Sequence, residues 1–222
     1  MRFSDEPIRG HSLADKAYTA IRSMIKNGEL KPNMPLREPA LAEALSISRT
    51  PIRQALHRLE TEGLVAFHRN GMVVAALDRQ RVMELYYFLE SLESMAAHYM
   101  AHYANADEIA TLHDLNQREE DLLDNASELS SLNAQFHTMI YRGARNRYLL
   151  KTVLSIRDQI FLLGKTTLGN PGRSAQANKE HRAIVQAIQD RNPDAAEAAM
   201  RTHIRSALTE RLKLLDQQES NE

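Results

Sequence analysis

The chain of 222 residues contains no cysteine, which excludes disulfide scaffolds, thiolate metal sites and cysteine nucleophiles. The absence also agrees with a reducing cytoplasm. Only eight glycines and seven prolines interrupt the sequence, so helix is the leading structural class. No run of about 18 apolar residues occurs, which argues against a membrane-spanning helix. The N-terminal stretch MRFSDEPIRGH lacks the apolar core of a signal peptide, so we predict a cytoplasmic protein with no membrane partner.

The charge is nearly balanced overall but unevenly placed. Residues 1–78 contain 11 Lys or Arg against 9 Asp or Glu, and residues 79–222 contain 17 against 20. This offset is too small to indicate a nucleic-acid partner. A local cluster is more informative, because four arginines and only two glutamates lie between Arg37 and Arg58.

The first region, residues 12–77, has the pattern of a winged helix-turn-helix. A helix ends at Gly28, and the short helix EPALAEAL is followed by a tight turn. Ser48 is placed to cap an arginine-rich helix that ends at Gly63. Two short apolar runs around the hairpin dipeptide Asn70-Gly71 predict two strands and a tight turn. Residues 1–11 are predicted to be a flexible N-terminus.

The arginine-rich helix is predicted to enter the major groove of double-stranded DNA. Its apolar residues Ile52, Leu56 and Leu59 would anchor it to the domain. Its front end would hold polar side chains towards phosphates and base edges, where arginine can donate two hydrogen bonds to guanine. The residues predicted at this front end are Ser48, Arg49, Thr50 and Arg53.

The second region, residues 78–217, is predicted to be an all-helical bundle. Apolar residues at 82, 85, 89, 92, 96, 99 and 103 form the seam of a long first helix. Five further helices are predicted near 107–126, 128–145, 147–166, 174–191 and 193–217. The polar residues 218–222 are predicted to be a frayed tail. The predicted fold class is therefore mainly α, with a winged helix-turn-helix domain and a six-helix bundle.

Histidines are the informative residues of this second region. His98 and His102 are four residues apart, a spacing that can hold a metal ion, but both lie about 120–140° from the apolar seam of their helix. They are predicted to face solvent. His137 borders an apolar stripe, and His181 and His203 are each eleven residues from Asn192.

If the helices on either side of Asn192 pair antiparallel, the latter two imidazoles reach the same level of the bundle. Together with His137 and the amide oxygen of Asn133, they could hold Zn, Ni or a similar divalent ion. The alternative for each histidine is a buried side chain that is hydrogen-bonded to a neighbour.

The stretch AYTAIRSMIKNGELKPNMPLREPALAEALSISRTPIRQALHRLETEGLV closely resembles the N-terminal domain of GntR-family bacterial regulators. The resemblance covers residues 12 to about 76. It implies that Ser48, Arg49, Thr50 and Arg53 face DNA, with Arg69, Asn70 and Gly71 on the wing. Several members carry a polar or basic residue where this chain has Pro39, and Arg37 is the neighbouring candidate for that contact.

The second region resembles the FCD ligand-sensing domain of the FadR subfamily, through LESLE, NAQFHTMIY, EHRAIVQAI and THI. The metal ligands of that domain correspond here to Asn133, His137, His181 and His203. In the family the metal often anchors a small carboxylate effector, assisted by an arginine. Leu89 occupies the usual position of this arginine, which leaves Arg157 and Arg142 as candidates to replace it and also favours a more apolar effector.

The leading hypothesis is a ligand-responsive transcription factor, with repression as the family's commoner mode. A homodimer is expected, because one DNA-binding head reads a half-site and a two-fold protein matches a palindromic operator. One alternative is a constitutive DNA-binding protein whose bundle serves only to dimerise. The other is a metal hydrolase, which lacks a convincing general base because Glu180 points about 100° away from His181 on their helix.

Overall fold

A computed structural model describes residues 12–69 and 71–219 of the chain. The predicted N-terminal segment 1–11 therefore lies outside the described residues, as do residues 220–222 of the predicted tail. Contacts divide the chain into two compact units. The first extends to Ala76 and includes Asp158–Gly164, and the second comprises Leu77–Arg157 and Lys165 onwards.

Three helices form the body of the N-terminal unit: α1 Leu13–Lys26, α2 Glu38–Leu45 and α3 Arg49–Thr61. Ser12 and Asp15 cap α1 reciprocally, since the Asp15 amide donates to the Ser12 hydroxyl and the Ser12 amide donates to the Asp15 carboxylate. Helix α1 buries its apolar stripe against α3, whose residues Ile52, Leu56 and Leu59 are fully buried. The predicted anchor of the arginine-rich helix is thus confirmed.

Two short strands follow α3. Strand β1, Val65–His68, pairs antiparallel with β2, Gly71–Val74. The register places Val65 opposite Val74, and both side chains are buried beneath the hairpin. Helices, turn and hairpin occur in the order of a winged helix-turn-helix, which confirms the predicted architecture of this region.

The second unit contains the six predicted helices in the part of the chain that the structure describes. They are α4 Arg79–Tyr103, α5 Ala106–Glu120, α6 Ala126–Gly143, α7 Arg147–Asp158, α8 Arg173–Gln189 and α9 Pro193–Glu219. Helix α4 packs along α9 and also contacts α6 and α8, while α5 lies against α6 and α8. The fold is therefore mainly α, as predicted.

Two details of the bundle differ from the predictions. The helix expected over 147–166 ends at Asp158 and continues as short 3-10 turns at Gln159–Leu163 and Thr167–Gly169. The predicted seam of α4 is wrong at its end, since the Tyr103 side chain is exposed while Ala97 and Met100 are buried. Helix α4 is covered on several sides by neighbouring helices, so its buried face is wider than a single stripe.

Candidate DNA-binding surface and metal centre

The front end of α3 carries exposed polar side chains at the positions that the sequence predicts. Ser48 is the N-terminal cap residue of α3, with extended backbone and no hydrogen bond from its side chain to the helix. Arg49 and Thr50 lie in the first turn and are exposed. Free backbone N–H groups and exposed cationic side chains at one helix end form a surface suited to phosphate and base contacts.

Arg53 is also exposed but has a partner that the sequence analysis missed. Its Nε donates to Glu38 Oε1 and its Nη2 donates to Glu38 Oε2, both at 2.8 Å. This two-pronged contact joins the start of α2 to α3 and holds the guanidinium in one orientation. The hydrogen bond with Arg53 holds the pKa of the Glu38 carboxyl below its usual value.

Two of the remaining predicted DNA contacts, Arg37 and Arg69, are exposed arginines outside α3. Arg37 is exposed at the N-terminal cap position of α2. Arg69 is exposed after β1, and Gly71 opens β2 with a φ of 116°, a conformation that favours glycine. Asn70 lies outside the described residues.

The three inward histidines of the second unit converge at one buried point. His137 on α6, His181 on α8 and His203 on α9 are each at most 3% exposed, and ligand atoms of all three lie within 4.8 Å of one another. The Nε2 atom of His203 lies 3.2 Å from that of His137 and 3.4 Å from that of His181. The pairing of α8 and α9 around Asn192 thus brings His181 and His203 to the same level.

Each of these imidazoles also contacts a buried carboxylate through its other nitrogen. His137 Nδ1 lies 2.7 Å from Glu93 Oε2, His181 Nδ1 lies 2.7 Å from Glu119 Oε2, and His203 Nδ1 lies 2.8 Å from Glu180 Oε2. An ionised carboxylate can only accept, so Nδ1 of His181 and of His203 donates in a hydrogen bond. Nδ1 of His137 makes no well-aligned hydrogen bond, but at 2.7 Å from a carboxylate oxygen it too must carry the proton. All three Nε2 atoms are then left with lone pairs and no proton.

The Nε2 lone pair of His203 faces those of His137 and His181 at 3.2 and 3.4 Å, and such lone pairs repel each other unless a cation or a proton lies between them. Bonds of about 2.0–2.1 Å to a divalent ion, at angles of roughly 90–110°, place ligand nitrogens about 2.8–3.4 Å apart. The observed separations match this range. The donor set therefore fits a divalent metal ion, and the carboxylates are the usual partners of metal-bound histidines.

Burial keeps two of the histidines neutral, as metal ligands must be. Burial and the nearby charge of Arg157 lower the pKa of His137 to about 4, and burial with the neighbouring His181 lowers the pKa of His203 to about 3. Burial opposes ionisation of Glu180, but hydrogen bonding to His203 and the charge of Arg173 bring its pKa down to about 2. Neutral imidazoles beside ionised carboxylates are the states required for metal binding.

Two arginines complete this network, of which Arg173 is buried and Arg157 is half-buried. Arg157 Nη1 donates to Glu93 Oε1 at 3.0 Å and to the Tyr141 hydroxyl at 2.8 Å, and Arg173 Nη1 donates to Glu180 Oε2 at 2.8 Å. Glu93 therefore contacts both Arg157 and His137 and lies between them. Arg142, the other candidate arginine, is exposed. Burial raises the pKa of the Glu93 carboxyl, but the charge of Arg157 and the contact with His137 outweigh it and hold that pKa well below its usual range.

The buried acids were missed in the sequence analysis, and Glu180 was considered only as a base for His181. The available signal was their position, because Glu93 and Glu119 fall at helical spacing from the buried apolar residues Leu89 of α4 and Leu115 of α5. Asn133 is half-buried on α6, one turn before His137. His98 and His102 were both predicted to face solvent. His102 is exposed, but the prediction is wrong for His98, which is half-buried with Nδ1 3.3 Å from Glu197 Oε2 on the neighbouring helix α9.

Within the described ranges, no helix is both long and apolar enough to cross a bilayer. The sequence matches the family "Bacterial regulatory proteins, gntR family" over residues 13–74 and the FCD domain over residues 84–206. The chain is 30% identical over 187 residues to the Nta operon transcriptional regulator of Aminobacter aminovorans, covering 83% of this chain and 88% of that protein.

Other similar proteins agree in fold and role. The gluconate operon transcriptional repressor of Bacillus licheniformis is 31% identical over 135 residues, 59% of this chain and 54% of the repressor. The solved structure of E. coli McbR/YncC superposes with a TM-score of 0.77 at 17% identity, covering 92% of this chain and 99% of that one. The matched families and named relatives are regulators rather than enzymes, so the metal-hydrolase alternative is wrong. The chain therefore belongs to the GntR family of bacterial transcriptional regulators, with a DNA-binding helix-turn-helix domain followed by an FCD domain.

Proposed function

We propose that this regulator is a metal-dependent, effector-responsive repressor of the FadR subfamily in the bacterial cytoplasm. Residues 12–77 would form its DNA-binding domain, and residues 78–217 its effector-binding and dimerisation domain. The observation that carries the proposal is the convergence of three Nε2 atoms, each on an imidazole whose Nδ1 contacts a buried carboxylate. That arrangement leaves three converging nitrogen lone pairs, which is the donor set of a divalent metal ion.

The metal ligands in this proposal are Asn133, His137, His181 and His203, with Zn or Ni as the ion. Three neutral imidazoles suit both ions. Asn133 is half-buried one helical turn before His137, which places it on the same side of α6. An amide oxygen there would add a fourth neutral donor.

The effector in this proposal is a small molecule with a carboxylate group. A bound divalent ion with open coordination positions accepts carboxylate oxygens, and Arg157 would assist because its guanidinium lies beside Glu93 and Tyr141 within the same network. Arg142 does not suit this role, since its side chain is exposed on α6. An effector that prefers one of two arrangements of the protein would shift operator binding.

The DNA contacts in this proposal come from the exposed front of α3 and the wing. They are Arg37, Ser48, Arg49, Thr50, Arg53, Arg69, Asn70 and Gly71. The homodimer is supported by apolar side chains that stay exposed on α4, where Tyr87 is 57% and Phe88 is 47% accessible. A second copy would cover such side chains and present two heads to a palindromic operator.

Elemental analysis of the purified protein, without added metal, tests the metal site. We expect roughly one divalent ion per chain, lost when His137, His181 and His203 are all replaced by alanine. The matched control is His98→Ala/His102→Ala, which removes two histidines of one helix and should leave the metal content unchanged. Retention of far-UV circular dichroism and operator binding by the triple variant would separate loss of metal from loss of fold.

Two results would contradict the metal proposal. One is wild-type protein that binds no divalent ion even when Zn or Ni is supplied. The other is a triple variant that keeps its full metal content. Either result would favour the constitutive, dimeric DNA-binding protein as the function of this chain.

A further inference from the structure

We propose that Glu119 is the positioning residue that makes His181 a metal donor and supplies the negative charge that retains the cation. The inference rests on the metal site proposed above and names a residue that is not itself a ligand. Glu119 lies on α5, a helix that contributes none of the three histidines.

The contact of Glu119 with His181 sets which imidazole nitrogen is protonated. Glu119 Oε2 accepts from His181 Nδ1 at 2.7 Å, and the side chains are 2% and 1% exposed. The Phe136 ring stacks on the same imidazole, with centroids 4.1 Å apart and an interplanar angle of 15°. The stacking fixes the plane of the His181 imidazole, and the hydrogen bond to the carboxylate fixes how the ring is turned within that plane. The Nε2 lone pair of His181 therefore points at His203.

Glu119 differs from the other two carboxylates in its counter-charge. Glu93 is paired with Arg157, and Glu180 is paired with Arg173. In the described part of the chain, Glu119 forms no ion pair with arginine or lysine, and its Oε1 atom is buried without a hydrogen-bond partner. A buried carboxylate with one unsatisfied oxygen is costly unless a positive charge lies close to it.

Charge balance in the network points to the same conclusion. The three carboxylates carry three negative charges, and the two arginines offset two of them. The histidine ligands are neutral when they bind metal, so they do not neutralise any of the ion's positive charge. The charge left over is that of Glu119, on the far side of His181 from the Nε2 atoms, and a divalent ion is its natural counter-charge.

The test compares Glu119→Gln with Glu120→Gln in the full chain. Glutamine keeps the size of the side chain but removes its charge and can turn an N–H towards Nδ1. Glu120 is a matched control, because it is the next residue of α5, is exposed, and forms its ion pair with Arg182 at 3.0 Å. We expect Glu119→Gln to weaken Zn binding roughly 10–100-fold in competition with a chromogenic chelator, and Glu120→Gln to leave it unchanged.

A second measurement does not require a variant to fold. Long-range ¹H–¹⁵N NMR of the Zn-loaded wild-type protein reports which nitrogen of His181 carries the proton. We expect a proton on Nδ1 and none on Nε2. A proton on Nε2 would overturn the inference whatever the variants do, and circular dichroism of metal-free Glu119→Gln checks that its fold is retained.

The outcomes separate this inference from the proposed function. If the wild-type chain binds no Zn, the metal site itself fails. If the wild type binds Zn and the two variants bind it equally well, or are weakened equally, only the role of Glu119 fails. Selective weakening in Glu119→Gln, with Nδ1 protonated in the wild type, is the result that supports it.

Discussion

The two functional regions of this chain present their key side chains in opposite ways. The front of α3 holds Arg49 and Thr50 in solvent on a helix whose other side is buried. The histidine centre buries His137, His181 and His203 completely and surrounds them with charged partners. An exposed cation needs no partner in the free protein, whereas a buried polar group needs one.

This difference determines how each region tolerates substitution. Side chains at the front of α3 can be removed without leaving a buried group unsatisfied, so their loss should affect DNA binding and little else. A change in the histidine network leaves a buried charge or donor without its partner. We therefore expect stability effects to concentrate in the network and binding-only effects on α3.

The largest expected effect is on the ion pair between the buried Glu93 and the half-buried Arg157. Replacing Glu93 by glutamine leaves the Arg157 guanidinium without its carboxylate and should lower the free energy of unfolding by about 3–5 kcal/mol. Glu120→Gln breaks an exposed pair and should cost less than about 1 kcal/mol. Urea unfolding of the metal-free protein measures the loss of unfolding free energy in each variant. Equal losses would show that the Glu93–Arg157 pair contributes no more to stability than an exposed ion pair.

Acid should destabilise the metal-free protein through the same buried groups. The pKa values of His137 and His203 are lowered to about 4 and about 3, so both stay neutral in the folded state while the unfolded chain protonates them below about 6.5. The unfolded state therefore binds more protons as the pH falls from 6.5 towards 4, and stability is lost by up to about 1.4 kcal/mol per pH unit for each histidine.

Urea unfolding at pH 7.5 and pH 5, with a chelator present, measures this loss. His98→Ala/His102→Ala should keep the difference in stability between the two pH values, because the difference arises from the lowered pKa values of His137 and His203. A variant that lacks both of those histidines should lose most of it. If that variant retains the full difference, the buried histidines are not its source.

The smallest expected effect is confined to DNA binding. Arg49→Ala should weaken operator binding by about 1–3 kcal/mol and relax the preference at one base pair, with little change in stability. Arg142→Ala removes the same charge from an exposed site on α6 and is the matched control. Fluorescence anisotropy measures the affinity of each variant for palindromic, half-site and random DNA. An equal loss of affinity for all three DNAs would indicate that Arg49 contacts only phosphate.

Much of the fold could be predicted because its signals are local. Caps, apolar spacing and the Asn70-Gly71 dipeptide predict the helices and the hairpin, and the structure confirms them. The prediction was wrong at Tyr103 and for the helix over 147–166, where the outcome depends on which neighbouring helices cover the segment. Local spacing carries no information on that coverage.

The candidate site shows the same division. The apolar faces of α6, α8 and α9 were enough to predict that His137, His181 and His203 point inwards. The pairing of Glu38 with Arg53 and of Glu119 with His181 was missed, because these partners lie on different helices. A single glutamate in a sequence does not indicate whether its side chain is solvated or buried.

The sequence by itself determined the elements of this protein, its family resemblance and the face on which each histidine lies, because helical periodicity and capping act between residues close in the chain. Only the tertiary structure decided that Glu93, Glu119 and Glu180 each contact a different histidine and leave three Nε2 lone pairs facing one another. The physical reason is that hydrogen bonding and charge pairing act over about 3 Å in space, and helix packing brings residues together across any distance in sequence.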